Sequence, residues 1–202
     1  MRFTIFNTPI ISQLLSLTAK IFLKLCGWRI EGEPPKTPRY VMVGAPHTSN
    51  WDFIFGLAIA MATRVECHWV GKHTLFWGPL NPIMRWMGGI PLDRNGRCRR
   101  GSLVKQTVGC FKQRRRLGIV VCPEGTRSRG DRWRTGFYHM AKNANIPIVL
   151  GFLDFKNRRG GFGPTIQPGD CIDKDLHEIQ AFYADIYGKY PDCFSPVYPA
   201  TH

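Results

Sequence analysis

Residues 40–62 read YVMVGAPHTSNWDFIFGLAIAMA, and the change of character inside that stretch decides the fold. Tyr40-Val41-Met42-Val43 is an apolar run of strand length, and Pro46, which has no backbone donor, ends it. From Trp51 to Ala62 the chain is apolar on nearly every side, which predicts a buried helix. The reading is strand, loop, helix. The loop carries His47, and Asp52 falls five residues later in the first helical turn, where a negative charge suits the helix dipole. A carboxylate that points back at the imidazole fixes its tautomer, and the ring can then take a proton from a hydroxyl. A second reading stays open here. Ser49-x-x-Asp52 is close to a capping box, with Ser49 or Thr48 as the cap, in which Asp52 only secures the helix start and His47 is an ordinary loop residue.

Outward from this stretch, apolar runs at 40–45, 67–70, 89–92, 118–122 and 147–155 alternate with helical patterns at 50–62, 79–87, 102–115, 134–144 and 173–188. That alternation predicts an α/β fold with a central, largely parallel sheet, flanking helices and an N-terminal amphipathic helix. Active loops then gather beyond the carboxyl ends of the strands. Two such strand exits carry further chemistry, Gly88-Gly89-Ile90-Pro91-Leu92-Asp93-Arg94 and Val120-Val121-Cys122-Pro123-Glu124-Gly125-Thr126-Arg127-Ser128. Glycine lets backbone donors approach an anion, threonine adds a hydroxyl, and arginine presents a planar fork that matches phosphate or carboxylate oxygens. Each cluster alone is equally a turn with a surface arginine.

In this order the clusters resemble the glycerolipid acyltransferase family, which includes the lysophosphatidate and glycerol-3-phosphate acyltransferases. Its first block, asparagine-histidine, four residues and aspartate, is met by His47 and Asp52 with Pro46 in place of the common asparagine. The second, an apolar stretch leading to aspartate-arginine, is met by Gly89 to Arg94, with Pro91 in an unusual place. The third is met from Pro123 to Ser128, with Cys122 replacing an aromatic residue. The fourth, an apolar run around proline, is met by Ile146-Pro147-Ile148-Val149, with Leu150 where a second proline often stands. The resemblance implies transfer of a fatty acyl group from acyl-CoA or acyl-carrier protein to a hydroxyl of a glycerolipid or lysophospholipid-like acceptor, with His47 as general base oriented by Asp52. It implies that Arg94, Glu124, Gly125, Thr126 and Arg127 bind the acceptor head group and that Pro147 shapes the wall near the acyl chain. No acyl-enzyme is needed, and Cys122, in an apolar strand with no histidine beside it in sequence, reads as a small core residue. Two other functions use the same residues: a non-catalytic lipid or anionic-membrane binding protein, and a hydrolase in which His47 activates water.

The chain has 202 residues, 44% of them hydrophobic, enough for one well-filled domain. Its seven cysteines form no C-x-x-C pair and fit a reducing compartment. Its six histidines show no metal-ligand spacing, so neither a metal nor a cofactor is expected beyond the acyl donor as substrate. Gly160-Gly161-Phe162-Gly163 reads as a lone turn and not as a nucleotide fingerprint. A formal net charge of +14, concentrated at 94–116 and 127–134, calls for an anionic partner. No nucleic-acid motif accompanies it, which favours an anionic membrane surface over nucleic acid, with a simple solvated basic face as the alternative. Residues 1–30 form an amphipathic, interfacial segment ahead of an acyltransferase domain at 31–202. Read as a helix, Ile10, Leu14, Leu17, Ile21 and Leu25 share one face, Lys20 and Lys24 descend the other, and only Leu23 breaks the pattern. The stretch is too interrupted by polar residues to span a bilayer, so a peripheral or monotopic protein at the cytoplasmic face is expected, or a helix packed on the core.

Overall fold

The computed structural model describes residues 3–92, 102–195 and 197. In chain order the elements are α1 (Ile11–Leu25), β1 (Arg29–Glu31), β2 (Arg39–Ala45), α2 (Trp51–Thr63), β3 (Cys67–Lys72), α3 (Leu80–Trp86), β4 (Gly89–Leu92), α4 (Ser102–Gln113), β5 (Leu117–Val121), α5 (Gly136–Ala144), β6 (Ile148–Asp154), β7 (Arg159–Ile166) and α6 (Ile172–Tyr183). Short 3-10 turns lie at His73–Phe76 and Pro191–Cys193. The described residues form a seven-stranded sheet of order β1-β7-β6-β2-β5-β3-β4. Every neighbouring pair is parallel except the β6–β7 hairpin. The expected α/β architecture with a largely parallel sheet is the observed one.

Strand β2 lies inside the sheet, and its alternation divides the core in two. Val41, Val43 and Ala45 enter a cluster with Phe111 of α4, Phe137 and Met140 of α5 and Leu176 of α6, while Tyr40 and Met42 enter another with Leu23, Phe55 and Ile59 from α1 and α2. Helices therefore cover both faces, as a sheet of buried parallel strands requires.

The sequence reading missed β1 and β7. Gly160 to Gly163, expected to be a turn, lies within β7; the turn is at 155–158, just before it. A Cβ on Gly161, whose φ is 152°, would stand 2.0 Å from the carbonyl oxygen of Glu31, so glycine is what lets β1 pair there. Buried Asp154 holds the hairpin by accepting hydrogen bonds from Asn157 Nδ2 at 2.8 Å and Arg159 Nε at 2.9 Å. Arg159 Nη1 reaches on to Glu31 Oε2 at 3.2 Å and ties in β1. Helix α6 is shorter than its pattern suggested, and its last residue, Tyr183, donates to the carbonyl of Gly151 at 2.8 Å.

Helix α1 meets α2 through Ser16, Ala19 and Leu23, a face of mostly small residues that lets the helices approach closely. Ser16 Oγ donates to the carbonyl of Ala62 at 3.3 Å, and the Phe22 ring lies 5.5 Å from that of Phe55. Leu23, which breaks the amphipathic pattern, is the anchor. The regular stripe of Ile10, Leu14, Leu17, Ile21 and Leu25 is exposed. No helix among the described residues is long and apolar enough to cross a membrane.

Candidate active site

The loop after β2 places His47 beyond the carboxyl end of that strand, following a cis Ala45–Pro46 peptide. Asp52, buried in the first turn of α2, accepts hydrogen bonds at Oδ2 from the backbone N–H groups of Thr48 (2.7 Å) and Ser49 (2.8 Å). Its Oδ1 accepts from Ser49 Oγ at 2.9 Å. The same Oδ2 stands 3.2 Å from His47 Nδ1. The two readings of Ser49-x-x-Asp52 are thus both realised: one carboxylate ties down the loop before the helix and faces the imidazole. Asp52, then the Cys122 side chain, favours the charged ring and raises His47 to about 10 against the opposing effect of burial.

Strand β5 is the parallel neighbour of β2, with Val43 opposite Val121, so the loop that follows β5 lies beside His47. Glu124 is buried there, and its carboxylate turns toward the protein. Oε1 accepts from the His47 backbone N–H at 2.5 Å and Oε2 from that of Ser195 at 3.3 Å. Burial raises the Glu124 carboxyl to about 7, and the two backbone donors oppose the rise. Glu124 thus braces the histidine loop.

The stretch at 187–195 braces the same loops, which no sequence motif announced. Tyr190 N–H donates to Thr48 Oγ1 at 3.2 Å, Gly130 N–H to Ser195 Oγ at 2.8 Å, and Trp133 Nε1 to the Ser195 carbonyl at 2.8 Å. Lys189 lies 4.5 Å over the Trp51 ring.

Between α2 and the sheet opens a cavity of ≈ 1120 Å³. His47, Asp52 and Cys122 line it, Met42, Phe53, Leu57, Trp69 and Val120 contribute apolar wall, and Gly125, Thr126 and Arg127 line it while remaining exposed. Gly125 has φ 68°, and Arg134 crosses so closely that a Cβ there would meet its Nε at 3.0 Å. Thr126 Oγ1 accepts from Ser128 N–H at 3.2 Å. The exposed end thus presents a backbone turn, a hydroxyl and a guanidinium, and the rest of the lining is largely apolar.

Not every expected residue is gathered here. Pro147 precedes β6, and its carbonyl accepts from Val41 N–H at 3.1 Å, which puts it at the opposite end of the sheet from His47 and outside the cavity lining. Arg94 lies outside the described residues. Cys122, read as core, is half-buried on the cavity wall. It follows the β5 residue paired with Val43, so the β2–β5 pairing, invisible in spacing along the chain, brings it to the end of the sheet from which the His47 loop leaves. Among the described residues, no three His, Cys, Asp or Glu side chains gather in a metal-ligand group.

A family model described as Acyltransferase matches residues 29–149. The 1-acyl-sn-glycerol-3-phosphate acyltransferase of Salmonella typhimurium is 37% identical over 109 residues, 52% of this chain and 43% of that protein. The protein of the same name from Haemophilus influenzae is 31% identical over 147 residues, 71% of this chain and 59% of its own length. The chain thus spans about half the length of the curated relatives it matches. The crystal structure of the 1-acyl-sn-glycerophosphate acyltransferase PlsC from Thermotoga maritima superposes with a TM-score of 0.57 at 16% identity, over 84% of this chain and 74% of that one, a likeness of fold. Since the matched span runs from β1 into β6 and holds the histidine loop, its carboxylate and the arginine turn together, the chain belongs to the acyltransferase family.

Proposed function

We propose that this protein is an O-acyltransferase that moves a fatty acyl group from acyl-CoA or acyl-carrier protein to a hydroxyl of a lysophosphatidate-like acceptor. The observation that carries the reading is the His47–Asp52 pair on the wall of an apolar cavity whose exposed end holds Thr126 and Arg127. The names of the relatives supply the acceptor class. An alcohol attacks a thioester slowly unless a base takes its proton as the new bond forms. With Nδ1 turned to Asp52, the other ring nitrogen of His47 is left for the acceptor hydroxyl. The alkoxide oxygen attacks the thioester carbon, the carbon–sulfur bond breaks, and the leaving thiolate takes the proton from the imidazolium. An acyl chain gains about 0.8 kcal/mol for each methylene that it buries, and by expelling water it favours the neutral ring that the step needs. The chemistry so written uses no resident metal or cofactor. The direct test is an acyl-transfer assay of the purified protein with both donors and with lysophosphatidate, glycerol phosphate and lyso-aminolipid acceptors; binding without turnover of any of them sinks the reading in favour of a lipid-binding protein.

Arg127→Lys tests the head-group contact. A lysine keeps the charge and loses the planar fork, and a charge-assisted hydrogen bond contributes about 1.5–3 kcal/mol, so KM for a phosphate-bearing acceptor should rise on the order of tenfold with donor KM unchanged. An equal rise for both substrates would assign Arg127 to the donor.

The same reading puts the protein on an anionic membrane at its cytoplasmic face. Phe53 and Ile54 are both exposed and line the cavity, so the cavity reaches the surface on the α2 side, the helix on which α1 packs with its bare apolar stripe. Entry of that stripe into the headgroup boundary gains apolar burial, and the net charge of +14 adds attraction that salt screens. Because Leu14, Leu17 and Ile21 are exposed in the fold, changing all three to serine should leave thermal stability nearly intact. Burial of such a side chain contributes roughly 1.5–3 kcal/mol, so sedimentation with anionic liposomes should weaken at least a hundredfold. Undiminished binding in high salt would locate the anchor elsewhere.

A further inference from the structure

We propose that the end of α1 and the start of β1 form a phosphate-binding pocket, separate from the catalytic cavity, that seats the phosphate monoester headgroup of an anionic bilayer lipid. The inference rests on the reading that α1 lies against a membrane, and it adds a discrete site to the diffuse attraction of a basic surface.

A cavity of ≈ 320 Å³ opens where the chain turns from α1 into β1. Its floor is buried Leu23 and Trp28, and the Trp28 ring stacks on Phe55 with centroids 4.2 Å apart, so the core fixes that wall. Its rim is Lys20, Lys24 and Arg29, all exposed. Gly27 makes the turn with φ 71°, and a Cβ built on it would lie 3.4 Å from Arg158 Nη1, so a second guanidinium crosses the same turn.

Four cations around one small concavity repel each other, Lys20 and Lys24 most directly because they stand one helical turn apart. Among the described residues none of the four pairs with a carboxylate. Glu31 and Glu33, the acids that follow Arg29 in the chain, are held by Arg159 and Lys36, and no acid lines the pocket. A bound anion relieves the repulsion. A phosphate monoester suits the set, since it brings more than one negative charge at neutral pH and three acceptor oxygens for a planar guanidinium and the ammonium groups. A zwitterionic headgroup would bring an ammonium that no carboxylate meets.

The place of the rim on the helix assigns the phosphate to a lipid. Each residue turns an α-helix by about 100°, so Lys20 falls between buried Ala19 and exposed Ile21, and Lys24 between buried Leu23 and exposed Leu25. The lysine row therefore borders the bare apolar stripe. Once the stripe enters a bilayer, these side chains stand at the level of the headgroups. Arg29 pairs with Arg159, the partner of Asp154 at the end of β6, and β6 runs parallel to β2 with Phe152 opposite Ala45. The pocket thus lies at the end of the sheet from which the His47 loop leaves, three strands across, and Lys20, Lys24 and Arg29 do not line the catalytic cavity.

The test is sedimentation of the full chain with phosphatidylcholine vesicles carrying either phosphatidate or phosphatidylglycerol at matched zeta potential. Binding about tenfold tighter to the phosphatidate vesicles is expected. Combined Lys20→Ser, Lys24→Ser and Arg29→Ser should erase that preference. Combined Lys112→Ser, Arg115→Ser and Arg116→Ser removes the same charge near the start of β5, at the opposite end of the sheet from His47, and should keep it. All six side chains are exposed, and acyl transfer to detergent-dispersed acceptor verifies that each variant is folded. Equal binding to both vesicles by the wild type, or equal loss of preference in the two variants, overturns the pocket and leaves diffuse attraction. A preference that survives the first variant and disappears in Arg127→Ser overturns it in favour of the catalytic cavity, and one abolished by soluble glycerol phosphate overturns the assignment to a lipid. Binding to neither vesicle removes the membrane reading as well.

Discussion

His47→Ala should lose acyl transfer by on the order of a hundred- to ten-thousand-fold, the span that a positioned general base contributes. The loss should appear in kcat, because the imidazole acts on the proton in flight and leaves the apolar wall and the arginine turn untouched. Folding should survive. The side chain lies on a loop at the end of β2, and the braces on that loop run through its backbone, where the His47 N–H reaches Glu124 and the Thr48 and Ser49 N–H groups reach Asp52. A His47→Ala protein that melts normally and transfers at the wild-type rate, on an acceptor that the wild type uses, would remove the histidine from the mechanism.

Asp52→Asn should come next in size and shows its effect in pH as well as rate. Asparagine keeps an oxygen that can accept from the Thr48 and Ser49 N–H groups, so the helix start is retained while the charge opposite Nδ1 is lost. The carboxylate is the foremost cause that lifts His47 to about 10. In the wild type kcat/KM should therefore climb with pH across the alkaline range, and in Asp52→Asn the limb should move to lower pH while the plateau falls at least a hundredfold. Stability follows with a definite sign. A ring raised in the folded state stabilises the fold below the ordinary imidazole value and loses that contribution as pH rises through about 10. The melting difference between wild type and variant should accordingly be largest near pH 6 and shrink toward pH 10. A variant with unchanged pH profile and a large stability loss at every pH would leave Asp52 as a loop brace only.

How much of this was readable in the chain follows from what each signal encodes. The strand-loop-helix at 40–62 was legible because proline and hydrophobic run length are local properties, and the same locality carried β3, β4, β5 and the helices between them. Strand β7 was not, because its glycines are dictated by a neighbour's carbonyl and not by their own propensity. The same limit applies to the site. His47, Asp52 and Arg127 arrive together because two loops leave adjacent strands at the same edge. Glu124 was found as a residue and its bracing contacts were not, since spacing along the chain does not say whether a carboxylate faces outward or toward the backbone of residue 47. Cys122 on the cavity wall and Ser195 against Glu124 and Trp133 are placed by contacts that only the folded chain supplies, and Pro147 matches a motif while standing at the opposite end of the sheet.

The bracing of the histidine loop by residues 187–195 has a bearing on when this molecule becomes active. Thr48 is held by an N–H that lies 142 residues further along the chain, and Glu124 by one 71 residues beyond it. On a ribosome the loop at 46–50 emerges early and must wait through most of translation for its partners. The histidine loop therefore receives these braces only after residues 187–195 have been made, long after the exposed stripe of α1 has emerged.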